Sequence, residues 1–209
     1  MCSSDLRFVP VAAADAAGAV PAGGVASLDI VDADADGGWD LVVAGPTGTS
    51  LLGSVRGATG VVRVPAAPRA IAAGAAAGVL AWDYDNDGVS DLATWGSEGL
   101  ALSRGLADGT FDGPAATFPG PVGAVDVADI DRDGDLDLVM VGPAGVALVE
   151  NRGGNANHWI DVALEAQQIK GTAMSPSGRV NAHGLGSLLE LKSAARYQPR
   201  PVRRRTTHF

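Results

Sequence analysis

The sequence predicts an all-β chain built largely from a repeated four-stranded unit, and three observations carry that prediction. The pattern Asp-x-Asp-x-Asp-Gly-x-x-Asp-Leu occurs three times, opening at Asp32, Asp83 and Asp129, so the copies stand 51 and 46 residues apart. Short apolar stretches flank each copy: Ser27-Leu28-Asp29-Ile30-Val31 and Leu41-Val42-Val43-Ala44-Gly45 around the first, with Gly78-Val79-Leu80-Ala81-Trp82 and Leu92-Ala93-Thr94-Trp95-Gly96 around the second. Val125-Asp126-Val127-Ala128 and Leu138-Val139-Met140-Val141-Gly142 flank the third. Gly and Pro punctuate the gaps, and no long segment shows a helical apolar period.

Between the Asp patterns lie further strand-like segments. Ser50-Leu51-Leu52-Gly53-Ser54-Val55 and Gly60-Val61-Val62-Arg63-Val64 follow the first, and Gly99-Leu100-Ala101-Leu102-Ser103 and residues 111–118 follow the second. Each repeat then offers about four strands, the content and period of one propeller blade. The Ala-rich run 70–77 has helix propensity, but Gly74 and Pro68 predict an inter-blade connection there. The expected fold is therefore a partial β-propeller of about three blades followed by a small β-rich module. Its divisions are residues 1–24 (a partial blade or truncated leader), 25–154 (the repeats) and 155–209.

Bulk composition agrees with a folded chain. Hydrophobic residues make up 46% of the 209 and charged residues 19%, too apolar for a disordered chain. Aromatics are only 5%, so the core must come from Val, Leu, Ile and Ala. The net charge of −9 argues against a nucleic-acid partner, whose phosphates attract basic surfaces. Twelve of the 24 acidic residues are the repeated Asp positions of the three patterns, with Asp135 a thirteenth inside the third, and three divalent cations would bring −9 to −3. With one cysteine, Cys2, no intrachain disulfide forms. No apolar run has the roughly 18 to 20 residues that span a bilayer. Met1-Cys2-Ser3-Ser4-Asp5-Leu6-Arg7 lacks the order of a secretory signal. Three repeats are also fewer than the roughly four to eight blades that close a propeller. Either blades are missing at the N-terminus or the chain packs as an open arc with exposed edges, and truncation is the expectation.

The Asp pattern itself points to calcium. A hard cation that takes six to eight oxygens in a tolerant geometry suits three carboxylates at alternate positions of a tight loop. The Gly permits the sharp turn, the next carbonyl adds an oxygen, and the last Asp closes the shell. The expected ligands are Asp32, Asp34, Asp36, Asp40 and the Gly38 carbonyl in the first loop. In the second they are Asp83, Asp85, Asp87, Asp91 and the Val89 carbonyl, and in the third Asp129, Asp131, Asp133, Asp137 and the Asp135 carbonyl. About three Ca²⁺ ions are expected in all. Magnesium fits poorly because it demands a strict octahedron, and zinc lacks its His and Cys ligands here. An EF-hand would need Glu at the twelfth loop position and a helix on each side. Those positions are Val43, Thr94 and Met140, inside strand-like runs.

No catalytic constellation is legible. His158, His183 and His208 are scattered, and no nucleophile elbow, phosphate loop or zinc-protease helix is present. Every clustered carboxylate is accounted for as a ligand, which leaves no spare acid for glycoside hydrolysis. Trp82 and Trp95 fall on strands and read as core, whereas Trp39 and Tyr84 sit inside the loops as candidate ligand contacts. Arg203, Arg204 and Arg205 form a short basic run that reads as a solvated strand end.

Residues 25–151 resemble the FG-GAP or VCBS repeats of integrin α-subunit propellers and many bacterial surface proteins. The resemblance implies that each Asp loop joins two adjacent strands of a blade and binds calcium. The C-terminal part resembles an ASPIC/UnbV module, as in cartilage acidic protein and its bacterial relatives. It does so through Asn157-His158-Trp159-Ile160, Gly184-Leu185-Gly186 with Leu189-Glu190-Leu191, and Tyr197-Gln198-Pro199-Arg200. It departs from that family at Ser187-Leu188, where a small residue and Arg are usual, and at its end on Phe209. Together these imply a secreted, periplasmic or cell-surface scaffold for protein or glycan binding and adhesion, without catalysis. The alternative is an accessory propeller of a larger polysaccharide-acting enzyme.

Overall fold

Alternating Val, Leu, Ile and Ala between Gly-rich turns fold here as antiparallel meanders. The computed structural model describes residues 22–36, 38–53, 55, 56, 62, 63, 68–165, 181, 183–192, 197–202 and 206–208. Cys2, Arg203, Arg204, Arg205 and most of segment 1–24 lie outside them. The first sheet holds β1 (Ser27–Val31), β2 (Asp40–Gly45), β3 (Gly48–Leu52) and β6 (Arg69–Ala73), in that order. A minimal hairpin, β4 (Val55–Arg56) with β5 (Val62–Arg63), is inserted between β3 and β6. The second sheet runs β7 (Gly78–Trp82), β8 (Asp91–Trp95), β9 (Gly99–Gly105) and β10 (Phe111–Pro119). The third holds β11 (Ala124–Ala128), β12 (Asp137–Gly142) and β13 (Gly145–Val149), with no fourth strand among the described residues.

The protein is thus all-β, and the three sheets follow one plan. In each, the residue before the first Asp of the loop pairs with its last Asp: Val31 with Asp40, Trp82 with Asp91, Ala128 with Asp137. Every Asp loop therefore joins the first two strands of its sheet. The next turn also repeats, with Gly48, Gly99 and Gly145 at φ of 142°, 139° and 117°, where a side chain would be strained.

The Ala-rich segment departs from expectation. Residues 69–73 form the fourth strand of the first sheet, paired with β3, and only the stretch beyond Ala73 is a connection. Ala has little strand preference, but an open sheet edge offers ladder partners that outweigh propensity. Gly74, at φ 93°, ends the strand.

The sheets stack face to face. Val31, Ala33, Val42, Ala44 and Leu51 of the first unit pack against Val79 and Leu92 of the second. Trp82, Ala93 and Leu100 of the second then meet Val127, Leu138 and Met140 of the third. The first strands also touch, the Ala81 N–H donating to Asp29 Oδ2 at 2.9 Å. Beyond the third sheet lie a 3₁₀ turn (Gly154–Ala156) and two small sheets. One pairs β14 (Asp161–Ala163) with β17 (Thr206–His208), the other β15 (Leu188–Lys192) with β16 (Tyr197–Pro201). No helix among the described residues is long and apolar enough to cross a membrane.

Candidate metal centres

The three Asp loops, 32–40, 83–91 and 129–137, sit at matching positions of the three sheets. Each turns by the same local device, a carboxylate accepting the N–H two residues on. Asp85 accepts from Asp87 at 3.2 Å and Asp87 from Val89 at 2.8 Å, while Asp131 and Asp133 do the same for Asp133 and Asp135. Asp34 and Asp36 repeat the device in the first loop. The residue between the second and third Asp is left-handed in every copy: Ala35 at φ 57°, Asn86 at 52°, Arg132 at 65°. That reversal turns alternate side chains toward a common centre.

As a result, one oxygen from each of three carboxylates gathers within 4.8 Å in every loop. The groups are Asp32, Asp34 and Asp36; Asp83, Asp85 and Asp91; and Asp129, Asp131 and Asp137. The donors are hard oxygens throughout, the set that suits Ca²⁺. A positive charge already answers this demand at the second loop. The Arg104 guanidinium, reaching over from β9, lies 3.0 Å from Asp85 Oδ2 and 2.6 Å from Asp87 Oδ2. The residues present therefore fit a hard divalent cation.

The ninth-position aspartates have a second duty that the sequence does not reveal. Asp91 Oδ2 accepts the Tyr84 N–H at 2.8 Å and its Oδ1 the Gly105 N–H at 2.7 Å. Asp137 likewise accepts from Ile130 at 2.9 Å and Asn151 at 2.8 Å, and Asp40 from Ala33 at 2.9 Å. These buried carboxylates brace the loop against the neighbouring strand. Arg104, Asn86 and Asn151 were not singled out by the sequence. The recurring spacing was the available signal, since Gly105 and Asn151 both follow their ninth-position Asp by 14 residues.

Electrostatics at the second loop are unfavourable without a cation. Burial pushes the Asp83 carboxyl up to about 6, against an ordinary 3.8, although the Gly88 N–H opposes this. Burial pushes Asp91 up to about 8, with the Gly105 and Tyr84 N–H groups pulling it back. The β16 residue Arg200 brings a cationic side chain into the field of Asp83, Asp32 and Asp91, while its own burial depresses its pKa. A raised folded-state pKa means that the bound proton stabilises the fold. That contribution is complete below 3.8 and is lost as pH rises through about 6 and then about 8. Metal-free protein should accordingly melt at a higher temperature at pH 5 than at pH 8.5. Calcium at a few millimolar should shrink or invert the difference, which thermal unfolding across that range would read.

Of the candidate ligand contacts, Trp39 and Tyr84 are both half-buried. Tyr84 meets Trp82 edge to face, with ring centroids 6.3 Å apart, so part of its ring belongs to the core between the second and third sheets. Trp82 is buried, and Trp95 packs against the same cluster.

Comparison with known proteins supports the repeat. Residues 83–140 match the FG-GAP-like repeat family, spanning the second loop, the rest of that sheet and the third loop. No curated protein matches the chain. One similar solved structure comes from work on the recognition of non-reducing terminal N-acetylglucosamine by an Agrocybe aegerita lectin. It is 19% identical with a TM-score of 0.44, and the match covers 60% of this chain and 35% of that one, about a third of the lectin's length. Residues 83–140 of this chain are thus similar to an FG-GAP-like repeat, within an all-β, multi-sheet fold.

Proposed function

We propose that this chain is a calcium-stabilised, non-catalytic binding scaffold of the partial-propeller kind, acting outside the cytoplasm. One observation carries the reading: three carboxylate oxygens gather at the same strand junction of each of three stacked sheets, from the first, third and fifth loop positions in the first loop and the first, third and ninth in the other two. One such cluster is an ordinary acidic turn, but three in register form a repeated cation cradle. Extracellular calcium is abundant enough to fill sites with dissociation constants of about 10⁻⁴–10⁻³ M. Bound ions would hold each loop closed, keeping the edges of the stacked sheets rigid enough to present a surface. Trp39 and Tyr84, inside the loops, are the proposed contacts for a protein or glycan partner. The two small C-terminal sheets make up the proposed ASPIC/UnbV-like module, with no reaction assigned to it.

Thermal unfolding of the chain in excess EDTA and then in a few millimolar calcium tests this reading. Calcium should raise the melting temperature by many degrees, whereas equimolar magnesium should leave it nearly unchanged. Coincident curves for a folded protein would reduce the loops to plain acidic turns.

A further inference from the structure

The second and third Asp loops are joined side to side by bonds that belong to neither cluster. The buried Asn86 side chain, at the left-handed corner of the second loop, donates Nδ2 to the Gly134 carbonyl of the third at 3.0 Å. Asn151 bridges the same pair, its Nδ2 reaching the Tyr84 carbonyl at 2.7 Å and the Leu136 carbonyl at 3.4 Å. Its backbone N–H meanwhile holds Asp137 Oδ1. Segment 151–159 continues over both loops. Gly154 sits where a Cβ would strike the Tyr84 carbonyl and Asp135, and Asn157 donates to the Asp85 carbonyl at 2.9 Å. The indole of Trp159 lies directly on Gly134, so close that a Cβ there would collide with the ring.

We propose that these two loops form one coupled pair of cation sites, with segment 151–159 as the strap that closes over both. The inference rests on the calcium reading above and deepens it. Closing one loop fixes the backbone that presents Asn86 or the Gly134 carbonyl, and so removes part of the ordering cost of closing the other. The first loop carries Ala35 at the matching corner, a side chain with no donor to offer. The strap also places Trp159 as a natural optical reporter of the closed state.

The test is a calcium titration of the full chain by calorimetry, in an Asp34→Asn background that removes the first site. Disabling the third site with Asp131→Asn should weaken calcium binding at the second by about fivefold or more, the usual lower range of coupling between sites. Disabling the second with Asp85→Asn should weaken the third by the same factor. Adding Asn86→Ala should weaken that dependence, with the Asn151 bridge left in place, and Ala35 shows that alanine is accommodated at such a corner. Trp159 emission should change only once both sites fill. Site affinities that ignore each other, with calcium still bound, would overturn the coupling and leave the metal reading intact. No calcium uptake by the unmutated chain would overturn both. Far-UV circular dichroism on each variant confirms that the β-fold persists, and Asn157→Ala probes the strap without touching either loop's carboxylates.

Discussion

Replacing Asp91 with alanine should cost the fold about 3–5 kcal/mol, measured by denaturant unfolding in EDTA so that metal loss does not contribute. Asp91 is fully buried, and both of its oxygens are engaged, with Tyr84 on one side and Gly105 on the other. Alanine would leave two buried N–H groups without acceptors, at about 1–3 kcal/mol each. Relief of a buried carboxylate offsets part of that, because burial holds this group's pKa near 8. The offset grows with pH, so the loss should be smaller at pH 9 than at pH 6. Asp91→Asn keeps one acceptor and should fall between alanine and the unmutated chain. A loss below 1 kcal/mol for alanine would mean that the ninth-position Asp is a ligand only, with no bracing role.

Leu92→Ala should cost nearly as much, about 3 kcal/mol. Leu92 is 1% exposed and packs between the first and second sheets with Val31, Val42, Ala44 and Val79. Truncation leaves a cavity that β-strands, locked by ladders on both sides, cannot collapse to fill. Leu148→Ala on β13 is the matched control. Leu148 is 65% exposed, so the same chemical change should stay within about 0.5 kcal/mol. Equal losses at the two positions would show that the sheets do not share a packed interface. A large loss at Leu92 alone supports a stack that unfolds as a unit.

Much of this arrangement could be read from the sequence, because a repeat states its rule several times over. Asp32, Asp83 and Asp129 fixed where the loops begin, and the apolar runs beside them fixed the first two strands of each sheet. Val43, Thr94 and Met140 do lie in strands, so the flanking helices of an EF-hand have no place here. Residues 69–73 were illegible as a strand, since Arg-Ala-Ile-Ala-Ala has no alternation and its strand state comes from the free edge of β3. The cross-loop contacts were equally hidden. Asn86 and Gly134 are 48 residues apart, and nothing local to either says that they meet.

The left-handed corner shared by the three loops has a consequence for how copies of one module can differ. Ala35, Asn86 and Arg132 adopt the same backbone turn but project a methyl, an amide and a guanidinium. The corner side chain belongs to none of the gathered carboxylate trios and lies outside the ladder, so it is one of the loop positions left free to vary. Branching at Cβ is the main thing that this conformation forbids. Duplicated units can therefore keep one chassis and acquire individual wiring there, as the second loop has done by placing an amide where its neighbour offers a carbonyl.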